Sequence, residues 1–140
     1  MVIDHIGVVV RSLEDGIARW KDSFAYVQNS PIVTNTRQKV RVVFLAKRDS
    51  VTVKLVEPSD PSSPVALFAR RGGGLHHVCF RCADMSAEIP PLQKKGARLV
   101  VAPEPGEAFK SRNIAFLFGQ DNLNIELIDT TEKEGWLGLA

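Results

Sequence analysis

Runs of alternating apolar and polar residues, each of strand length, are interrupted by two stretches in which apolar residues recur every three or four positions. The whole pattern occurs twice. Displacing the sequence on itself by 72 residues, the distance from His5 to His77, sets His5-Ile6-Gly7-Val8-Val9-Val10 over His77-Val78-Cys79-Phe80-Arg81-Cys82. The same offset sets Leu13, Ile17 and Trp20 over Met85, Ile89 and Leu92, Pro31 over Pro103, and Phe44-Leu45 over Phe116-Leu117. It also sets Val53-Lys54-Leu55-Val56-Glu57 over Ile125-Glu126-Leu127-Ile128-Asp129. One gapless offset carries every match, and the shared pattern, more than the few identities, marks an internal repeat.

Each half reads as a strand, a helix and three strands. The elements fall near 2–10, 13–24, 31–37, 40–47 and 51–57, then near 75–82, 85–95, 98–103, 113–118 and 123–129. Ser12 and Asp84 precede the helical stripes as caps, and Gly96 after Lys94-Lys95 stops the second helix. Pro90-Pro91 conflicts with that helix, which is expected to be short, kinked or late-starting. The expectation is a single α+β domain over 1–140, with two tandem βαβββ modules forming a cupped mixed sheet. Module one is 1–58, the linker 59–74, module two 75–130 and the tail 131–140. In the linker, PVALFARR suits a short helix and Gly72-Gly73-Gly74 a flexible lead-in. Trp136 and Leu137 call for a surface of this chain or of a partner subunit.

Composition narrows the class. The 140 residues are 44% apolar and 24% charged, values ordinary for a globular chain, with a net charge of +2. That charge is too small to indicate nucleic acid. The opening MVIDHIGVVV reads as a strand rather than a signal peptide, and no apolar run reaches membrane length. Cys79 and Cys82, without a secretion signal, suggest the cytoplasm. They form a CxxC, but on a strand residues three apart face opposite ways, and neither a helix N-terminus nor a second ligand pair accompanies them. A redox or zinc role is therefore not expected.

The repeat gives the polar residues their meaning. His5 and His77 are equivalent on the two first strands, as Lys54 and Glu126 are on the two last strands. If the halves pack about a twofold axis, these four positions converge, and two histidines with a carboxylate form a known set of metal ligands. His76 and His77 are adjacent on a strand, so they should face opposite ways, and the repeat makes His76 the bland one. Glu126 lies among apolar residues in LNIELID, where a glutamate is rarely left unpaired. The plainer alternative is a buried Lys54–Glu126 ion pair without metal.

The segments IDHIGVVVRSLEDGIARWKDSF, KLVEPSDPSSPVALFARRGGGLHHVCF and IAFLFGQDNLNIELID resemble the vicinal oxygen chelate superfamily of glyoxalase, bleomycin-resistance and extradiol dioxygenase relatives. The linker segment through GLHHVCF looks most like methylmalonyl-CoA epimerases. The resemblance covers nearly the whole chain. It implies the same cupped sheet and a divalent metal held by four residues, which map onto His5, His77, Glu126 and Lys54. Lysine stands where the family has glutamine or glutamate, and an ammonium cannot ligate a metal. The resemblance also implies two proton-moving carboxylates. Glu126 matches one, but no Asp or Glu lies between Asp22 and Asp49, where the other is expected.

Two functions follow. The first is a divergent glyoxalase- or epimerase-like enzyme (an isomerase, lyase or dioxygenase) acting on a small oxygen-chelating or thioester substrate. A divalent metal (Zn, Ni, Co, Mn or Fe) would sit at His5, His77 and Glu126, with Glu126 and Lys54 as catalytic groups. Lys54, Cys79 and Arg41 would contact an anionic or CoA-thioester substrate. The second is a metal-free protein of the same fold that binds a small molecule, with Lys54 paired to Glu126. Resemblance implies a homodimer; no nucleic-acid or membrane partner is expected.

Overall fold

The computed structural model describes residues 1–138. Its strands are β1 (Val2–Val9), β2 (Val27–Gln28), β3 (Val33–Asn35), β4 (Val40–Ala46), β5 (Thr52–Pro58), β6 (Gly74–Arg81), β7 (Arg98–Gly106), β8 (Arg112–Phe118) and β9 (Asn124–Ile128). Its helices are α1 (Leu13–Phe24), α2 (Ala66–Arg70) and α3 (Met85–Lys94). The nine strands make one curved mixed sheet in the order β2-β4-β5-β1-β6-β9-β8-β7, with β3 also on β4. Outward from the antiparallel β1–β6 junction the two halves match. β5 and β9 run parallel to β1 and β6, and β4 and β8 return antiparallel beyond them. The α+β class and the cupped sheet expected from the repeat are those observed.

Helices α1 and α3 cover the convex face. Ser12 caps α1 by accepting from the Asp15 N–H at 3.2 Å, and the stripe of Leu13, Ile17 and Trp20 packs on Val43, Leu45, Val53 and Leu55. Asp84 caps α3, whose Met85, Ile89 and Leu92 pack on Ala115, Leu117 and Leu127. The helix runs through Pro90 and Pro91 from Met85 without a late start, with both prolines exposed to solvent. The first half carries an extra short strand, β2, and its next strand is three residues rather than seven. β7 is longer than expected and irregular, with register shifts between Leu99 and Val101 and between Val101 and Glu104. β4 is buried on both faces, so it reads as the nearly continuous apolar run VRVVFLA.

The concave face holds the third core cluster: Val42, Phe44, Val56, Phe109, Ile114 and Ile128 among others. Phe109 ends a single 3-10 turn, Glu107–Phe109, that folds into the cup. The tail follows it, with the Glu134 N–H bonded to Ala108 O at 2.8 Å and the Leu137 N–H to Asn29 O at 2.9 Å. Trp136 docks edge-on to Phe44, with ring centroids 6.2 Å apart, while Leu137 remains exposed. Together Phe44, Phe109 and the tail plug one end of the cup. In the linker, Gly72, Gly73 and Gly74 all have positive φ, and a side chain on Gly73 would strike the Val9 carbonyl. The triple glycine is thus a shaped turn into β6.

Candidate functional site

The strand registers bring the four repeat-related residues together. His5 pairs with Cys79 across β1 and β6, and Cys79 with Glu126 across β6 and β9. Lys54 pairs with Gly7, and Gly7 with His77. Paired residues share a face, so His5, Cys79 and Glu126 form one row on the concave face and Lys54, Gly7 and His77 the next. Gly7 leaves the space that the His77 ring fills; a methyl group there would overlap the imidazole.

All four polar side chains are buried. Glu126 Oε2 accepts from Lys54 Nζ at 3.4 Å and lies 3.2 Å from His77 Nε2. Its other oxygen, Oε1, is 3.8 Å from His5 Nε2 and has no hydrogen bond among the described residues. The two histidine Nε2 atoms are 3.4 Å apart. One atom from each of His5, His77 and Glu126 falls within 4.8 Å of the others. Burial would raise the Glu126 carboxyl, but Lys54, His77 and His5 reverse this and hold it well below the usual carboxylate range. It is ionised at neutral pH.

A network behind the site fixes His5. Its Nδ1 lies 2.8 Å from Asp4 Oδ2, and Asp4 also accepts from Arg81 Nη1 at 3.1 Å and Lys133 Nζ at 3.1 Å. Burial would raise Asp4, but the His5 hydrogen bond and the Lys133 charge hold it below its usual value. Lys133 comes from the tail and sits over the Phe44 ring at 5.4 Å and the Trp136 ring at 5.3 Å. Burial pushes His5 itself down to about 4, against Asp4 and Glu126, so the ring is neutral. The ionised Asp4 can only accept, so Nδ1 carries the proton and Nε2 presents a lone pair towards Glu126 Oε1. Two electron-rich atoms facing each other in a buried site, one of them an orphaned carboxylate oxygen, fit a cation between them.

The arrangement overturns one reading of the sequence. His76 does not turn away from His77. Between Gly7–His77 and Val8–Leu75 the β1–β6 register skips a residue, which leaves His76 in a bulge. Its Nδ1 lies 2.9 Å from His77 Nδ1, and it lines the cavity beside the site. Burial, then His77 and Lys54, lower it to about 4. Asp4 occupies the matching bulge, between Ile3–Phe80 and His5–Cys79. The repeat sets Asp4 over His76, but it marks only their equivalence; the bulge that turns both inward is a property of the paired strands.

The cavity holds about 190 Å³ and is lined by Lys54, His77, His76, Gln38 and Asn124 between apolar walls that include Val56 and Phe116. Gln38 Nε2 has no partner among the described residues. Cys79 shares the face of His77, as the alternation requires, but it is buried in the row between His5 and Glu126 and does not line the cavity. Burial and the nearby Glu126 push its thiol up, so it is inert. Cys82 lies in the convex-side cluster, away from Cys79. Arg41 does not reach the cup. It alternates with Val40 and Val42, so it lies on the convex face, bonded to Glu14 at 2.8 Å and Glu57 at 3.0 Å. No carboxylate is among the residues lining the cavity, and Glu126 sits below its floor.

Comparison with known proteins places these features. Residues 4–116 match the sequence profile of the Glyoxalase/Bleomycin resistance protein/Dioxygenase superfamily. The chain is 29% identical over 136 residues to the uncharacterized protein YqjC of Bacillus subtilis, covering 95% of this chain and 93% of that protein. It is 26% identical over 121 residues to the ethylmalonyl-CoA/methylmalonyl-CoA epimerase of Cereibacter sphaeroides, covering 85% and 89%. The crystal structure of methylmalonyl-CoA epimerase from Mycobacterium tuberculosis superposes with a TM-score of 0.79 at 28% identity, covering 92% of this chain and 87% of that one.

Proposed function

This chain belongs to the Glyoxalase/Bleomycin resistance/Dioxygenase superfamily, and on that premise we propose that it is an epimerase-like enzyme that moves the α-proton of a CoA thioester. The observation that carries this reading is an ionised, buried Glu126 in contact with the Lys54 ammonium, which itself lines a small, mostly apolar cavity. The epimerase relatives on CoA substrates agree with it.

Glu126 takes the α-proton as general base. A carboxylate held below its usual range is a weak base for a carbon acid, so the enolate oxygen needs strong stabilisation. Lys54 lines the cavity within reach of that oxygen and donates to it. Gln38 Nε2 and the His76 ring give the acyl group polar partners in an otherwise apolar pocket. Among the described residues no carboxylate lines the cavity, so reprotonation of the enolate falls to the Lys54 ammonium, which regains its proton from the protonated Glu126 across their 3.4 Å contact and so closes the proton balance. His5, His77 and Glu126 are the residues that would hold a divalent metal, and such an ion would supply Lewis-acid polarisation of the thioester oxygen.

The test is proton exchange in D2O, with and without added Co(II), using 2-alkylmalonyl-CoA substrates and NMR of the α-carbon. Exchange in the natural protein that is lost in Glu126→Gln is expected. No exchange with any such thioester overturns the reading. The Lys54–Glu126 pair also favours a second one, a binding protein for small anions, and saturable CoA-ester binding without exchange would select it. The proposal extends to a homodimer, supported by the exposed apolar start of β1 at Met1, Val2 and Ile3 and read by light scattering, and to the cytoplasm, with which the unpaired Cys79 and Cys82 agree. Among the described residues no helix is long and apolar enough to cross a membrane.

A further inference from the structure

Lys54 is the fourth corner of a symmetric set. The repeat relates it to Glu126, and its Nζ touches the same carboxylate oxygen that faces His77 Nε2. It is as buried as the residues around it and packs 5.2 Å from the Phe109 ring centre. Glu126 is the carboxylate of the His5–His77–Glu126 set, and its charge is already balanced by this ammonium. The nearest other carboxylate, Asp4, is spent on His5, Arg81 and Lys133. Adding a dication would therefore leave a buried net charge of +2 with nothing to offset it, beside an ammonium that repels it at short range in a low-dielectric site.

We infer that Lys54 is a tethered cation that suppresses divalent-metal binding at His5, His77 and Glu126, so that neutralising Lys54 converts the cup into a tight metal site. The inference rests on the reading of those three residues as metal donors. It does not depend on which substrate the chain takes. In the natural protein the ammonium then performs the electrostatic work at the substrate oxygen that a bound metal would otherwise do.

The test is calorimetric titration of Co(II) into the chelator-treated full chain, for the natural protein, Lys54→Gln and Lys54→Met. Circular dichroism confirms folding, and visible absorption reports ligation. Lys54→Gln should bind one Co(II) at least about 100-fold more tightly than the natural protein, and Co(II) should raise its Tm while leaving that of the natural protein unchanged. Lys54→Met, which removes the charge without supplying an oxygen donor, should also bind more tightly than the natural protein. Equal, tight binding by the natural protein and Lys54→Gln overturns the inference and leaves the donor set standing. No binding by either variant overturns the donor set and the inference with it. The α-proton exchange experiment is independent of all these outcomes, so failure of the proposed reaction is read separately.

Discussion

Asp4 and His76 stand in equivalent bulges, and each meets the Nδ1 of the histidine that follows it, Asp4 Oδ2 on His5 at 2.8 Å and His76 Nδ1 on His77 at 2.9 Å. The two bulges turn neighbouring side chains to the same side of the sheet. That puts a supporting group behind each histidine of the site. The two supports differ chemically. Asp4 is an anion that imposes one tautomer on His5, whereas His76 is a neutral ring that can either donate or accept.

Removal of Asp4 should release that tautomer. In the natural protein the imidazole nitrogen resonances of His5 should report a proton on Nδ1 alone. Asp4→Ala should give a mixture of tautomers and cost about 1–3 kcal/mol, because Lys133 and the His5 N–H lose a buried acceptor. An unchanged His5 spectrum in Asp4→Ala would show that something else holds the ring.

The Lys54–Glu126 contact should behave as a coupled pair. Glu126→Gln leaves a buried ammonium without a counter-charge and should destabilise the chain by about 3–5 kcal/mol in urea unfolding. Lys54→Gln with Glu126→Gln should recover part of that loss. Strict additivity of the two single changes would mean that the 3.4 Å contact carries no energy.

Acid should weaken the chelator-treated protein well before ordinary carboxylates titrate. Burial holds His5 down to about 4 from 6.5, so between these values the unfolded chain takes up a proton that the folded chain refuses. Stability is therefore full above pH 6.5 and falls as pH drops through that window, by on the order of 3 kcal/mol. Glu126 acts in the same sense at lower pH. Its folded value lies below 4.5, so its contribution is present above 4.5 and lost beneath it. Urea midpoints that stay level from pH 7 to pH 5 contradict this, and His5→Phe should reduce the slope without abolishing it, because burial lowers His76 over the same window.

Gly7→Ala should damage the site more than the fold. The added methyl would overlap the His77 ring, which must swing out of the row it shares with Lys54. The expected cost is about 1–3 kcal/mol, with loss of α-proton exchange comparable to that of His77→Ala. Natural activity with a merely lowered Tm would show that His77 does not need its present position.

Much of this was legible in the chain. A strand and a helical stripe impose periods of two and 3.6, and burial enforces them, so the repeat disclosed the elements, the α+β class and the equivalence of His5 with His77 and of Lys54 with Glu126. The same period places Arg41 on the convex face, once the inward direction of Val40 and Val42 is known. Strict alternation also misled, because it made His76 face away from His77.

The sequence by itself determined which residues are equivalent, since equivalence is a property of order along the chain. Only the tertiary structure decided which of them touch. A bulge is a mismatch between two strands, and neither strand records it alone, so the shared direction of His76 and His77 existed only once β1 and β6 paired. The Lys133–Asp4 contact likewise depends on the tail crossing back over the cup, and the Lys54–Glu126 contact on two distant strands curving towards each other. Side-chain chemistry is written residue by residue; the distances that turn it into a site are set by packing.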